Sequence, residues 1–215
     1  MRMRSSSRFP VLVAAILVWV CFFPPALAAL TGADILRLNA EGRHEEALKS
    51  GTLRIAAAKD DIDAYVGLSW SLVALGRFAD AETWANRGYA LVKDPRLAQA
   101  IGEAAYRLGK NETALEKLRE YLGAFPEGSR AGSSYYICGE VYVRQARFLH
   151  ADIAFTAALQ YSPNNPAWWA RLGWARENAG KTLQALRAYE KALSLDAKQA
   201  EAYAGKQRLA ERLRQ

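Results

Sequence analysis

The sequence predicts an all-α fold: a right-handed α-solenoid of about five helix hairpins, closed by a C-terminal capping helix. Three observations predict it. Ala47, Ala81, Ala114, Ala151 and Ala185 recur 33 to 37 residues apart, the period of stacked helix pairs. Gly42, Gly76, Gly109 and Gly180 precede them at one phase, where two antiparallel helices need a tight turn. Beyond residue 30 the prolines are Pro95, Pro126, Pro163 and Pro166. All four fall between copies, where a missing N–H and a fixed φ are tolerated.

Taken in chain order, the first thirty residues read as an export signal. "MRMRSSSR" carries three arginines and no acid, and Phe9 to Leu30 carries no charge. Pro24 and Pro25 end the apolar run, and Ala26-Leu27-Ala28 supplies a small-residue exit. A basic start, an apolar middle and a small-residue end are the three parts of a secretory signal, with cleavage expected after Ala28. The rival reading is an uncleaved anchor, since 22 uncharged residues are long enough to cross a bilayer at about 20 residues per span. A lipid on Cys21 is disfavoured by the bulky Val20 before it. Both main readings place the remainder outside the cytoplasm, with the periplasm expected. Net charge is +7 over 215 residues and falls to +4 without Arg2, Arg4 and Arg8. So small an excess argues against nucleic acid as partner. If the signal leaves, Cys138 is alone and forms no internal disulfide; the fold predicts that it is buried.

Five copies follow, at about 29–61, 62–94, 95–128, 132–165 and 166–199. The first, "DILRLNAEGRHEEALKSG", keeps only its turn glycine and Ala47. The second, "YVGLSWSLVALGRFADAETWANRGYALV", has Tyr65, Leu68, Gly76, Ala81 and Ala85 in phase. In the third, Gly102, Gly109, Ala114, Leu118, Tyr121 and Pro126 keep step. The fourth carries Tyr135, Cys138, Gly139, Ala151, Phe155, Ala158 and Pro163, with Ala146 where the turn glycine would stand. The three extra residues before it fall in "EGSRA", a loop composition. The fifth is "WARLGWARENAGKTLQALRAYEKALSLD". Gly102, Gly139 and Gly173 mark close approach on one helix of each pair, and the recurring alanines mark it on the other. Residues 200–213 begin like a sixth copy, but Lys206 and Gln207 replace Leu-Gly. They read as the polar helix that ends an array.

An aromatic, then Leu-Gly, then a small residue, an aromatic and a proline on a 34-residue period form a known pattern. The chain resembles a tetratricopeptide-repeat (TPR) protein over residues of about 29 to 215. The resemblance implies that the first helix of each pair lines a concave groove. It places Trp70 and Trp174 at one groove phase, Arg107 and Arg144 at another, and Tyr106 and Tyr136 beside them. These six are the expected partner-binding residues, because Trp, Tyr and Arg dominate interface energetics. Glu103 and Glu140 stand ready to neutralise the two arginines within the groove. Trp169 occupies the aromatic core slot; Trp168 points about 100° away, either under the preceding hairpin or partly outward. The Lys/Asn clamp that TPR grooves use for a C-terminal carboxylate is missing: Val66, Gln99, Tyr136 and Ala170 hold one set of its phases, and Trp70, Glu103, Glu140 and Trp174 the other.

No catalytic constellation stands out. His44 and His150 lie about three copies apart without a second ligand at metal spacing, and Cys138 has no histidine in phase. No enzyme activity, cofactor or metal is expected. "NET" at Asn111 matches a glycosylation acceptor, but Asn suits that turn anyway. The expected role is a protein–protein interaction scaffold of the cell envelope that binds a peptide or helix segment. The alternative is a ligand- or lipid-binding solenoid subunit serving an envelope transporter.

Overall fold

The computed structural model describes residues 30–214. The export segment and the cleavage site after Ala28 lie outside the described residues. Eleven helices are present among those described: α1 (Gly32–Ala40), α2 (His44–Ala57), α3 (Ile62–Ala74), α4 (Phe78–Leu91), α5 (Pro95–Arg107), α6 (Asn111–Ala124), α7 (Ala131–Arg144), α8 (Phe148–Tyr161), α9 (Pro166–Asn178), α10 (Thr182–Leu195) and α11 (Ala200–Arg212). The first ten form five hairpins and α11 follows them. None of the described helices is long and apolar enough to cross a membrane.

Each hairpin turns in one way. Gly42, Gly76, Gly109 and Gly180 all have φ between +74° and +78°. Ala146 takes the same role at φ +54°, a region in which a Cβ crowds the backbone. The residue after each donates its N–H five positions back: Arg43 to Leu38, Arg77 to Leu72, Lys110 to Ala105, Arg147 to Tyr142 and Lys181 to Arg176. That bond closes a Schellman motif and satisfies a carbonyl left over at the helix end. The same five residues are the N-caps of the second helices and offer no side-chain cap. All five are basic, at a helix end that repels cations. Four of them reach a carboxylate: Arg43 meets Glu41 and Glu46, Arg77 meets Asp80, Lys110 meets Glu82 and Lys181 meets Asp152. The fifth, Arg147, lies 4.9 Å from the Tyr142 ring centroid.

First helices start differently. Asp61 and Asn165 accept a hydrogen bond from the first turn of α3 and α9, and Pro95 and Pro166 occupy the first positions of α5 and α9. Within a hairpin the helices close on a glycine. A Cβ on Gly102 would meet Leu118, one on Gly139 the Phe155 ring, and one on Gly173 the Tyr189 ring, each within 2.7 Å. Any side chain there would overpack the contact.

Stacking supplies the rest. The buried clusters straddle repeat boundaries. One runs from Ile35 through Leu68 to Ile101, a second joins Leu118 to Ile137, a third joins Phe155 to Leu172, and a fourth joins Tyr189 to Leu209 of α11. No hairpin buries its apolar face alone, as expected for a solenoid. Successive odd-numbered helices pack on one another in α1–α3, α3–α5, α5–α7 and α9–α11, and no successive even-numbered pair packs comparably. The odd helices therefore line the inner side and the even helices the outer. Cys138 is buried, as the fold requires, and burial pushes its thiol up to about 12.

Candidate functional site: the inner face of the solenoid

The inner face divides into three parts. Its upstream part is filled by the chain itself. Arg130, in the lengthened junction before α7, reaches across the face to lie 4.3 Å from the Trp70 ring centroid. Its Nη1 stands 3.5 Å from Glu103, and its Nη2 donates to Asn39 Oδ1 at 3.4 Å, far back in α1. Below it a chain of hydrogen bonds closes. Trp70 Nε1 donates to Gln99 Oε1 at 2.7 Å, and Gln99 Nε2 donates to Glu103 Oε2 at 2.8 Å. Asn39 Nδ2 donates to Ser71 Oγ at 3.0 Å. Burial pushes the Arg130 guanidinium down from its ordinary range, and Glu103 partly counters that; an arginine so placed stays charged.

The downstream part is also knitted together. Tyr136 of α7 stacks on Trp168 of α9, with centroids 4.9 Å apart and planes 13° apart. Trp168 therefore packs against the preceding hairpin. Arg171 donates to both oxygens of Glu140, at 2.6 and 2.9 Å, and to Glu201 of α11 at 3.0 Å. The same guanidinium lies 5.2 Å from the Trp174 centroid, and the Trp174 ring meets Phe148 of the preceding hairpin edge-on at 5.5 Å. Burial, then the charge of Glu140, raises the Tyr136 hydroxyl above its ordinary range.

Between them, at the turn end of α5 and α7, the picture changes. Arg144 lies 4.0 Å over the Tyr106 ring and donates to Tyr106 O and Asn111 Oδ1 at 3.0 and 3.3 Å. Arg107 lies 5.7 Å from the same ring and 5.6 Å from Phe78. Both arginines are exposed, and among the described residues neither has a carboxylate within ion-pair distance. The α5 and α7 C-terminal ends favour their charge.

The structure therefore corrects three expectations. Glu103 and Glu140 pair with Arg130 and Arg171, because those guanidiniums reach across from a later repeat, while Arg107 and Arg144 sit one turn further along toward the hairpin turns. Val66, Gln99 and Ala170 are wholly buried, so none is open to a ligand in the trough, and Gln99 is spent on Trp70 and Glu103. Trp169 is half-buried: its Nε1 donates to Pro163 O at 2.8 Å where the α8–α9 junction opens outward. Of the six expected binding residues, Tyr106, Arg107 and Arg144 come together. Trp70 is covered, and Tyr136 and Trp174 are each half-buried against a neighbouring repeat. Arg130 and Arg171 escaped the sequence reading, since neither holds a groove phase seen in the other copies; a basic residue within an inserted junction was the available signal for Arg130. His44 faces Asn39 at 3.4 Å and His150 packs on Tyr142, far from each other.

Comparison with known proteins agrees with this architecture. The tetratricopeptide-repeat family model matches residues 169–199. No curated protein matches in sequence. Among solved structures, MamA superposes with TM-score 0.62 at 19% identity, over 79% of this chain and 92% of that one. MamA from Desulfovibrio magneticus RS-1 gives 0.63 at 20% identity, over 78% and 94%. Cut9, from the APC/C hetero-tetramer Cut9–Hcn1, gives 0.70 at 18% identity, over 83% of this chain and 36% of that one.

Proposed function

Taking the chain as a tetratricopeptide-repeat solenoid, we propose that it is a non-catalytic scaffold of the cell envelope that holds a peptide or helix segment of another protein along its inner face. One observation carries the reading. Arg107 and Arg144, both exposed and both lacking a carboxylate partner among the described residues, flank Tyr106 on a face whose other charges are internally paired. Such a triplet suits an acidic or carboxylate-bearing segment. The arginines supply forked donors for a carboxylate, and the ring supplies rigid apolar area. The surrounding network fixes the helices in advance, so little order is lost on the scaffold side. Cut9 is named within a hetero-tetramer, and its likeness in fold supports an assembly role.

Two experiments test the proposal. Purified chain is used as bait in envelope extract, and captured proteins are quantified by mass spectrometry against the Arg107→Ala/Arg144→Ala double variant. The reading expects a partner whose recovery falls at least several-fold with the double variant; equal recovery of every captured protein contradicts it. For the envelope location, residues 1–30 are fused to an alkaline phosphatase stripped of its own signal. Phosphatase activity outside the cytoplasm is expected, and an inactive cytoplasmic fusion contradicts the assignment.

A further inference from the structure

Among the described even-numbered helices, α8 alone presents no exposed Asp, Glu, Lys or Arg, although Leu53 of α2 and Leu183 of α10 are also exposed. Exposed charged side chains stud α2 (Glu45, Glu46, Lys49), α4 (Arg87), α6 (Glu112, Glu116, Arg119) and α10 (Arg187, Glu190, Lys191). In α8 the only Asp, Glu, Lys or Arg is Asp152, which is buried and held by Arg176 and Lys181 at 2.8 and 2.7 Å. Instead α8 turns Leu149 and Ile153 outward, 55% and 72% exposed. They stand one helical turn apart on one face.

Beside Ile153 lies a recess of about 200 Å³ between α6, α7 and α8, walled by Leu122, Tyr135, Cys138, Tyr142 and Ala157. A dry cavity of about 150 Å³ takes benzene, so this recess suits one phenylalanine or leucine side chain. A second recess, of about 410 Å³, opens at the same phases one repeat further on, with Leu159, Leu172 and Trp169 in its wall. α8 is the ridge between the two.

The rim of the first recess is cationic. Arg119 and His150 border it, and Arg147 covers the Tyr142 ring. Among the described residues neither Arg119 nor Arg147 has a carboxylate within ion-pair distance. The nearby acids of α6 are engaged: Glu116 and Glu120 both bind Lys117 at 3.2 and 3.1 Å. Glu112 lies about 10 Å before Arg119 along the helix.

We infer that the outer face of α8 is a second docking surface, built for an acidic amphipathic helix of another protein. An apolar side chain of that helix enters the recess beside Ile153, and its carboxylates meet Arg119 and Arg147. An anionic bilayer fits less well. Leu149 and Ile153 offer a bilayer only two side chains, and the recess beside Ile153 has the volume of one projecting side chain.

A fluorescein-labelled amphipathic helix of leucine, phenylalanine and glutamate is titrated with the purified chain, in parallel with a counterpart carrying lysine for glutamate. Fluorescence anisotropy reads the affinity. The acidic probe is expected to bind saturably and about tenfold tighter than the basic one. Ile153→Glu, at an exposed position that leaves the circular dichroism unchanged, weakens it about tenfold, and Arg119→Glu inverts the charge preference. Arg107→Ala leaves binding intact, which separates this surface from the inner face. The inference is overturned by absence of saturable binding, by equal binding of both probes, by indifference to Ile153→Glu, or by loss in Arg107→Ala. It is overturned equally if Ile153→Glu abolishes flotation with phosphatidylglycerol vesicles, or dissociates a dimer in ultracentrifugation, while the probe does not bind.

Discussion

At the residue scale, Ala146 is the plainest departure from the pattern. Four of the five hairpin turns use glycine at positive φ, and the fourth hairpin holds an alanine there at φ +54°. A Cβ in that region costs roughly 1–2 kcal/mol, while glycine gives back part of that as unfolded-state entropy. Ala146→Gly is therefore expected to stabilise the chain by about 1 kcal/mol, read as a higher denaturant midpoint at unchanged slope. The turn glycines were legible in the sequence because an unusual φ leaves a mark on composition. The basic residues at 43, 77, 110, 147 and 181 were equally visible, each directly after a turn residue, yet the reach of Lys110 to Glu82 and of Lys181 to Asp152 in the preceding repeat is evident only in three dimensions. Arg130 was illegible for a stronger reason. Its contacts with Asn39, Trp70 and Glu103 depend on how three stacked hairpins curve, which no local pattern encodes. Arg130→Ala should uncover the Trp70 ring, giving a red-shifted and more quenchable tryptophan emission. The shift should vanish in a Trp70→Phe background; unchanged emission in Arg130→Ala would show that the guanidinium does not cover the ring.

Successive helices are joined by ion clamps with a definite pH signature. Asp152 of α8 binds Arg176 of α9 and Lys181 ahead of α10, and Glu177 of α9 accepts from Tyr189 at 2.7 Å and pairs with Arg208 and Arg212 of α11. Burial raises both carboxyls, but these hydrogen bonds and charges outweigh it and hold each below the ordinary carboxylate range. For a depressed carboxyl the contribution to stability is complete above the unfolded-state pKa, about 4. It is lost as pH falls through the lower folded-state value. Urea midpoints should therefore be level near neutrality and fall below about pH 4. Asp152→Asn should lower the neutral midpoint and flatten the acid limb. A variant with the wild-type acid limb would remove Asp152 from this account. Element positions were readable from period and breakers, since those follow from local backbone chemistry. The partners of each charge were not, because 33-, 34- and 37-residue spacings alter which side chains meet across a junction.

For the whole molecule, stacking makes the last helix indispensable. α11 sets Ala202 and Leu209 into the final cluster with Tyr189, and a Cβ at Gly205 would strike the Tyr189 ring. A chain ending after Asp196 leaves that apolar end open, and end repeats without a polar outer side aggregate. Truncation should produce concentration-dependent association in light scattering, which full-length protein does not show at the same concentration. The inner face was legible in outline, and Tyr106, Arg107 and Arg144 do gather on it. Trp70 and Trp174 both lie on first helices, but Arg130 lies over Trp70 and Trp174 packs edge-on against Phe148, and phase alone does not report cover. The central claim is that the inner face holds another protein's segment through that triplet. A photo-crosslinking amino acid at Tyr106, compared with one at Arg187 on the outer side, tests it most directly. The account predicts a discrete partner adduct from position 106, lost in the Arg107→Ala/Arg144→Ala background, and none from position 187. A partner that co-purifies undiminished while position 106 yields no adduct would contradict it.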